Sequence, residues 1–241
     1  MKIFSSQGLC LAVIVTAGLS SSLSAQGADS TPPPTEPLQI DKRNFGVLPN
    51  YRSADAHAEY KPIETKKKLT IAAKDSFDKP IYFLGAFYAG ISHLQNQNPS
   101  FGQGTAGFAQ RYVRGFADQA MGNMFTEGLF PAMLKEDPRY FIVGPSYGGK
   151  MKRTGYALSR IFVTRTDAGK TRFNFSETLG NGSAVAISNT YYPDTRNVKD
   201  NTTKFATQLA TDAFSNIIKE FWPDIKRKME ANKARKLQQK N

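Results

Sequence analysis

The stretch that decides the fold is TAGFAQRYVRGFADQAMGNMFTEGLF, residues 105–130. No proline interrupts it. At 100° per residue, Phe108, Tyr112, Val113, Phe116, Ala117, Ala120 and Met124 share one broad face, and Arg111, Arg114 and Asp118 gather opposite them. This spacing predicts a long amphipathic helix. Arg114 and Asp118 stand four apart, the spacing of a surface ion pair. Gly107, Gly115 and Gly122 fall within about one quadrant of the helix. Each glycine costs about 1 kcal/mol against alanine in a helix interior, so a neighbouring helix is expected to approach closely there. Ala86, Ala89 and Gly90 in the preceding segment offer a matching small surface.

Working outward, Thr65 is placed to cap a helix over Lys66 to Phe77 whose apolar face is Leu69, Ala72, Ala73 and Phe77. Asp78 and Pro80 restart a helix that runs to about Gln95. Downstream, Pro131 should kink or restart the chain, 136–140 forms a turn and 144–149 a loop. Residues 151–166 favour a helix through Ala157, Leu158, Ile161 and Phe162. The alternative is a short β-hairpin near 158–176, turning at Asp167-Ala-Gly169. A packed helix follows over 176–191. Phe205, Leu209, Ala213, Ile217 and Phe221 step by four and predict a helix over 201–221, ended by Trp222-Pro223. The expected fold is mainly α: a single-domain bundle of five or six helices over residues 45–222, with small residues at helix contacts.

The ends read differently. Residues 1–25 have the form of a secretory signal peptide. Lys2 is the positive start, Leu9 to Leu19 the apolar run, and small residues lead to Ala25. Such a run is well short of the ~20 residues a membrane span needs. Cys10 leaves with this leader, so the mature chain is expected to lack thiol chemistry and disulfides in the periplasm or cell envelope. Residues 26–44 hold Thr31-Pro-Pro-Pro-Thr-Glu-Pro37 and read as a disordered tether. Beyond the leader the best apolar run is Ile81 to Ile91, which reads as a buried core helix and not as a transmembrane span. Residues 223–241 are a basic tail.

The chain has 241 residues, 32 Lys plus Arg, 20 Asp plus Glu and a net charge of +12. No metal or other cofactor is expected. His57 lies near Asp55 and Glu59 in a polar segment, and His93 has no ligand four residues away. The loop from Gly144 to Lys150 approaches the phosphate-binding pattern, but Met151 replaces the hydroxyl residue and no βαβ unit surrounds it, so it reads as a surface loop. No nucleophile elbow occurs. The remaining catalytic candidates are carboxylates, with Glu127 and Glu177 as the pair for a glycosidase-like envelope hydrolase, which requires them about 5–10 Å apart. Glu136 and Asp137, just beyond Glu127, are further carboxylates from which such a pair could be drawn, with Asp137 before Pro138 read more blandly as a turn starter. The blander account of Glu177 is a favourable charge in the first turn of its helix.

The strongest feature outside the core is the tail, with Lys226, Arg227, Lys228, Lys233, Arg235 and Lys236. No aromatic residue follows Trp222, so no base-stacking platform accompanies these charges and nucleic acid is not an expected partner. Anionic envelope lipid or an acidic glycan fits by charge. A solvated helix end is the blander account. A protein partner is a further option, marked by Tyr191-Tyr192 or Trp222 if these are exposed. The favoured expectation is a cofactor-free envelope protein that binds or scaffolds, with the hydrolase as the alternative.

Three stretches carry a resemblance: Phe45-Gly-Val-Leu-Pro-Asn-Tyr-Arg52, Glu136-Asp-Pro-Arg-Tyr-Phe141 and Glu220-Phe-Trp-Pro-Asp-Ile-Lys226. There the chain is similar to a family of exported bacterial proteins of unknown function, over roughly residues 45–228. The resemblance implies export and a single domain. It implies no activity, cofactor or catalytic residue.

Overall fold

The structure is a computed structural model that describes residues 43–44, 48–49 and 51–239. The leader, Cys10, nearly all of the Pro-rich segment and half of the first resemblance stretch lie outside the described residues. The described chain is mainly α-helical.

Helix α1 spans Thr65–Ser76. Thr65 is its first helical residue and not its cap; Glu64 takes the cap position without a side-chain bond. Helix α2 spans Lys79–Leu94, and Asp78 caps it by accepting from the Lys79 N–H at 2.8 Å. Helix α3 spans Gly104–Asn123 and continues without a break into a π-helical turn, Met124–Leu129, and helix α4, Phe130–Leu134. Of the two expectations at Pro131 the restart is met, with Pro131 in the first turn of α4, and a widened turn stands upstream. Proline has no N–H for the carbonyl of Glu127 four residues back, and i→i+5 bonding absorbs the mismatch. That turn buries Thr126, Glu127 and Gly128.

Residues 151–166 divide between the two expectations. Helix α5 spans Lys150–Ser159, and a hairpin of β6 (Val163–Thr166) and β7 (Thr171–Phe173) follows. Gly169 turns it at φ +78°. β4 (Glu136–Asp137) adds to the hairpin antiparallel, and β3 (Ser53–Asp55) pairs parallel with β5 (Tyr140–Ile142). The short strands β1 (Arg43–Asn44) and β2 (Leu48–Pro49) pair antiparallel. Helix α6 spans Phe175–Ser188 with Asn174 as its cap, and α7 spans Val198–Gln238 with Asn197 as its cap. Pro223 lies inside α7, so the helix runs through Trp222-Pro223 into the basic segment. Counting α3 to α4 as one bent rod, the described chain has six helices.

The helices stand where the periodicity puts them, but several faces are turned. On α3 Arg111 is buried and Val113 is 62% exposed. Arg111 donates to the carbonyls of Gln97, Asn98, Gly102 and Gly107 and so ties the loop before α3 to its first turns. Arg114 does not pair with Asp118. It donates to Tyr191 O at 3.0 Å, while the Tyr191 hydroxyl donates to Asp118. On α1 Lys68, Ile71, Ala72 and Asp75 are buried and Phe77 is exposed. On α7 the buried residues are Asn216, Lys219, Glu220 and Trp222, with the expected apolar row only half-buried.

The expected glycine seam has also moved. A methyl group at Gly115 would meet open space, and Gly107 is crowded by its own loop at Gly102 O. Close helix approach occurs instead at Gly128, against Ala72 and Leu69 of α1, and at Gly180 of α6, against Thr126 and Phe125 of the π turn. A compact hydrophobic cluster of Tyr140, Ile142 and Ala157, flanked by Tyr156 and Ile217, joins β5, α5 and α7.

Candidate functional site

The interior is crossed by ion pairs that staple segments distant in sequence. Lys68 reaches Asp167 at 2.7 Å and Pro131 O at 3.2 Å. Arg172 reaches Glu136 at 2.9 Å, and Ser176 donates to Glu136 through both its N–H and its hydroxyl. Arg139 clamps Asp137, which also accepts from the Tyr60 hydroxyl at 3.1 Å. Glu136 and Asp137 are therefore buried anchors as well as a turn. Glu220 accepts from Arg153 at 2.8 Å, Tyr140 at 2.9 Å, Val143 N at 3.2 Å and Gly144 N at 3.0 Å. Arg153 also holds Asp224. The Gly144 N–H of the phosphate-like loop is thus taken by the chain's own carboxylate.

The densest group gathers the two carboxylates singled out above. Arg52 precedes β3, Asp75 is on α1, Glu127 on the π turn, Glu177 and Asn181 on α6, Asp212 and Lys219 on α7. Arg52 Nε faces Glu127 at 3.1 Å and its Nη2 lies 3.7 Å from Asp212. Asn181 donates to Glu177 at 3.1 Å and to Asp212 at 3.3 Å. Asp75 stands beside Glu127 and Asp212 beside Glu177, so each buried glutamate faces a second carboxyl group. Asp75 Oδ1 and Glu127 Oε2 accept from no N–H or O–H donor of the described residues.

Electrostatics follows from that geometry. Burial holds the Glu127 carboxyl well above the usual range, opposed by Arg52 and reinforced by Asp75. Burial and then Asp212 do the same to Glu177. Lys219 is pushed down to about 8 by burial and by Arg52. For Arg52 burial pulls down, but Glu127, Asp212, Glu177 and Asp75 together outweigh it and fix the guanidinium as charged.

The structure thus brings Glu127 and Glu177 into one cluster, both buried. Beside them a cavity of about 40 Å³ is lined by Arg52, Thr126, Glu136, Ser176, Glu177 and Asn216. That space suits a water molecule and not a sugar ring. Of the cluster, Arg52 and Glu177 line this cavity. A shallow groove of about 620 Å³ along α1 is walled by Tyr51, Leu69, Ala73, Lys74 and Phe77, with little convergent polarity.

The remaining candidates are equally plain. His57 Nε2 lies 2.8 Å from Val143 O and 3.0 Å from Ser146 Oγ. A carbonyl only accepts, so Nε2 carries the proton and is not free to take one from Ser146. His93 Nδ1 lies 3.3 Å from Arg111. Among the described residues no group of three or more His, Cys, Asp or Glu is placed to hold a metal ion, and no helix is long and apolar enough to cross a membrane. Tyr192 and Trp222 are buried, so they do not mark a protein interface. In the tail, Lys226 is half-buried, and Arg227, Lys228, Lys233, Arg235 and Lys236 are exposed.

Sequence reasoning picked Glu127 and Glu177 and missed Arg52, Asp75, Asp212 and Lys219. One signal for the α1 part was available: Lys68, Ile71, Ala72 and Asp75 share a helix face at spacings of three and four. No family model matches the chain, no characterised protein matches it in sequence, and no solved structure matches it. Function is therefore argued from the chain's own residues.

Proposed function

We propose that this is an exported envelope protein that acts by binding, and that it holds an anionic envelope surface through the free end of α7. The observation that carries this is the exposure of every residue from Arg227 to Gln239. The helix projects about 18 Å beyond the packed domain at 1.5 Å per residue, and Arg227, Lys228, Lys233, Arg235 and Lys236 ride on it. The helix dipole accounts for cations in the last turn only. Arg227, Lys228 and Lys233 lie further back, and Arg227 already balances Asp224. A projecting cationic rod has the reach and the charge to contact phosphate or carboxylate groups on a surface. The resemblance of the Glu136 and Glu220 stretches to exported bacterial proteins supports the location.

The test is co-sedimentation of the protein with phosphatidylglycerol vesicles, phosphatidylcholine vesicles and an acidic polysaccharide, at 50 mM and 500 mM salt. Binding to an anionic surface at low salt should weaken steeply at high salt. Lys228→Glu/Lys233→Glu/Lys236→Glu should weaken it further. Absence of binding to every anionic surface at low salt refutes the proposal.

A further inference from the structure

Residues 79–117 contain no aspartate or glutamate. They build α2, the loop after it and most of α3, and they carry the most exposed apolar side chains of this part of the chain. On α2, Phe83 is 78% exposed, Phe87 62% and Leu94 87%. At 100° per residue these three fall within about 40° of one another. They form one stripe on the side of α2 that the domain does not cover, while Ala89 on another side is buried.

Helix α3 extends this surface. His93 packs on Phe108, Gly85 on Tyr112 and Tyr82 on Phe116, so the two helices run antiparallel. On α2 the Phe83–Phe87–Leu94 stripe lies about 120–160° round from the contact line. On α3, Ala106, Ala109 and Val113 lie about 60–120° round from theirs, in the same sense. In an antiparallel pair the same sense of rotation carries both stripes to one side. The hairpin therefore shows solvent a joined apolar face, Phe83, Phe87, Leu94, Ala106, Ala109 and Val113, all of them exposed.

We infer that this face of the α2–α3 hairpin is a membrane-docking surface and that its occupant is the outer part of an anionic lipid bilayer. The inference rests on the binding function proposed above and names the surface bound. Three observations select lipid. Leu94 and the two phenylalanines offer no hydrogen bonds to a glycan, and burying them needs an apolar phase. The face carries no carboxylate to repel anionic headgroups, and the chain's net charge is +12. Helix α2 has 16 residues, about 24 Å, too short for the ~30 Å of a hydrocarbon core. It lies along the interface with its stripe dipped among the upper acyl chains. A second copy of the chain is the competing occupant, and the shared positive charge opposes it.

The experiment reads insertion separately from charge binding. Phe83→Trp changes an exposed ring, and its indole is compared with the unsubstituted protein, whose Trp222 is buried. With phosphatidylglycerol vesicles, a blue-shifted emission quenched by bromines on the acyl chains is expected. Phe83→Ser/Phe87→Ser, with unchanged circular dichroism, should weaken vesicle binding about tenfold or more. Binding to anionic vesicles without acyl-chain quenching overturns the docking inference and leaves the charge-driven function standing. Binding to acidic polysaccharide but not to vesicles does the same. A lipid-free dimer that Phe83→Ser/Phe87→Ser dissociates, with vesicle binding unchanged, overturns it in favour of a second copy. No binding to any anionic surface removes both proposals.

Discussion

Arg52→Met is the sharpest test of the charged interior. Methionine keeps most of the stem volume and removes the guanidinium that faces Glu127 at 3.1 Å and Asp212 at 3.7 Å. Asp75, Glu127, Glu177 and Asp212 then have only Lys219 within the cluster to balance them. Removing one partner of a buried pair costs about 3–5 kcal/mol, because the other charge stays desolvated. At roughly 2–4 °C per kcal/mol for a domain of this size, Tm should fall by about 6–20 °C at pH 7. The loss should shrink toward pH 5. Without Arg52 the Glu127 carboxyl rises further above its ordinary range, and taking up the missing proton costs less as the pH falls. Glu127→Gln added to Arg52→Met should restore part of the loss, with a coupling of about 1–3 kcal/mol. Thermal and urea unfolding of the two single variants and the double variant at both pH values reads all of this. A cost below about 1 kcal/mol at pH 7, a cost that does not change with pH, or strict additivity would refute the assignment of Arg52 as the cluster's central counter-charge.

Two further outcomes follow from the same geometry. Glu177 titrates above its unfolded value, so its contribution to stability is full below about pH 4 and is lost as pH rises through the folded value. Glu177→Gln removes that loss, and its unfolding free energy relative to the unsubstituted protein should climb between pH 5 and pH 8, by at most about 1.4 kcal/mol per pH unit; a difference that is flat with pH would refute it. Gly180→Ala would set a methyl 2.7 Å from the Thr126 methyl and 2.9 Å from Thr126 N, and should cost about 1–3 kcal/mol. Gly115→Ala meets open space and should instead add up to about 1 kcal/mol. Equal effects at the two glycines, measured by urea unfolding, would contradict the close contact of α6 with the π turn.

The helices were legible because apolar spacing of three and four survives any choice of partner. The orientation of those helices was not. Reading Arg111 as a surface group and Val113 as core assumes that charge seeks water. Arg111 finds three carbonyls in the loop around Asn98 and a fourth, Gly107 O, in its own helix instead, and no periodicity encodes a loop's carbonyls. Lys68 and Asp167 lie 99 residues apart, and Arg153 and Glu220 lie 67 apart. Such pairs leave no local pattern, since each member reads alone as an ordinary surface charge. The hairpin at 163–173 was half-legible: Asp167-Ala-Gly169 signals a turn, but the preceding Ala157 and Leu158 fit a helix equally well, and the chain uses both. Glu127 and Glu177 were reached by eliminating other chemistry. The groups that give them their character, Arg52 and Asp212, come from two other segments.

The interior and the surface are two sides of one partition of charge. Among the described residues seven acidic and five basic side chains are buried, from a chain whose totals are 20 acidic and 32 basic. Drawing acids inward in excess leaves the outside more cationic than composition alone states. Buried ion pairs are a weak source of stability, since apolar residues of similar volume often do as well or better. What the pairs do supply is direction. Arg153 needs Glu220 at one place on α7 and Lys68 needs Asp167 at the hairpin turn, so each pair fixes a register that an apolar contact would leave free to slide. On α3 the carbonyls that hold Arg111 inside have a similar effect and leave Val113 outside, while Phe108, Tyr112 and Phe116 pack on α2. In water that is a cost with no return; against a bilayer the same face gains the burial that the interior gave up. Under the docking proposed above, the charged core and the apolar hairpin face follow from one requirement, a domain that meets its solvent on one side and lipid on the other.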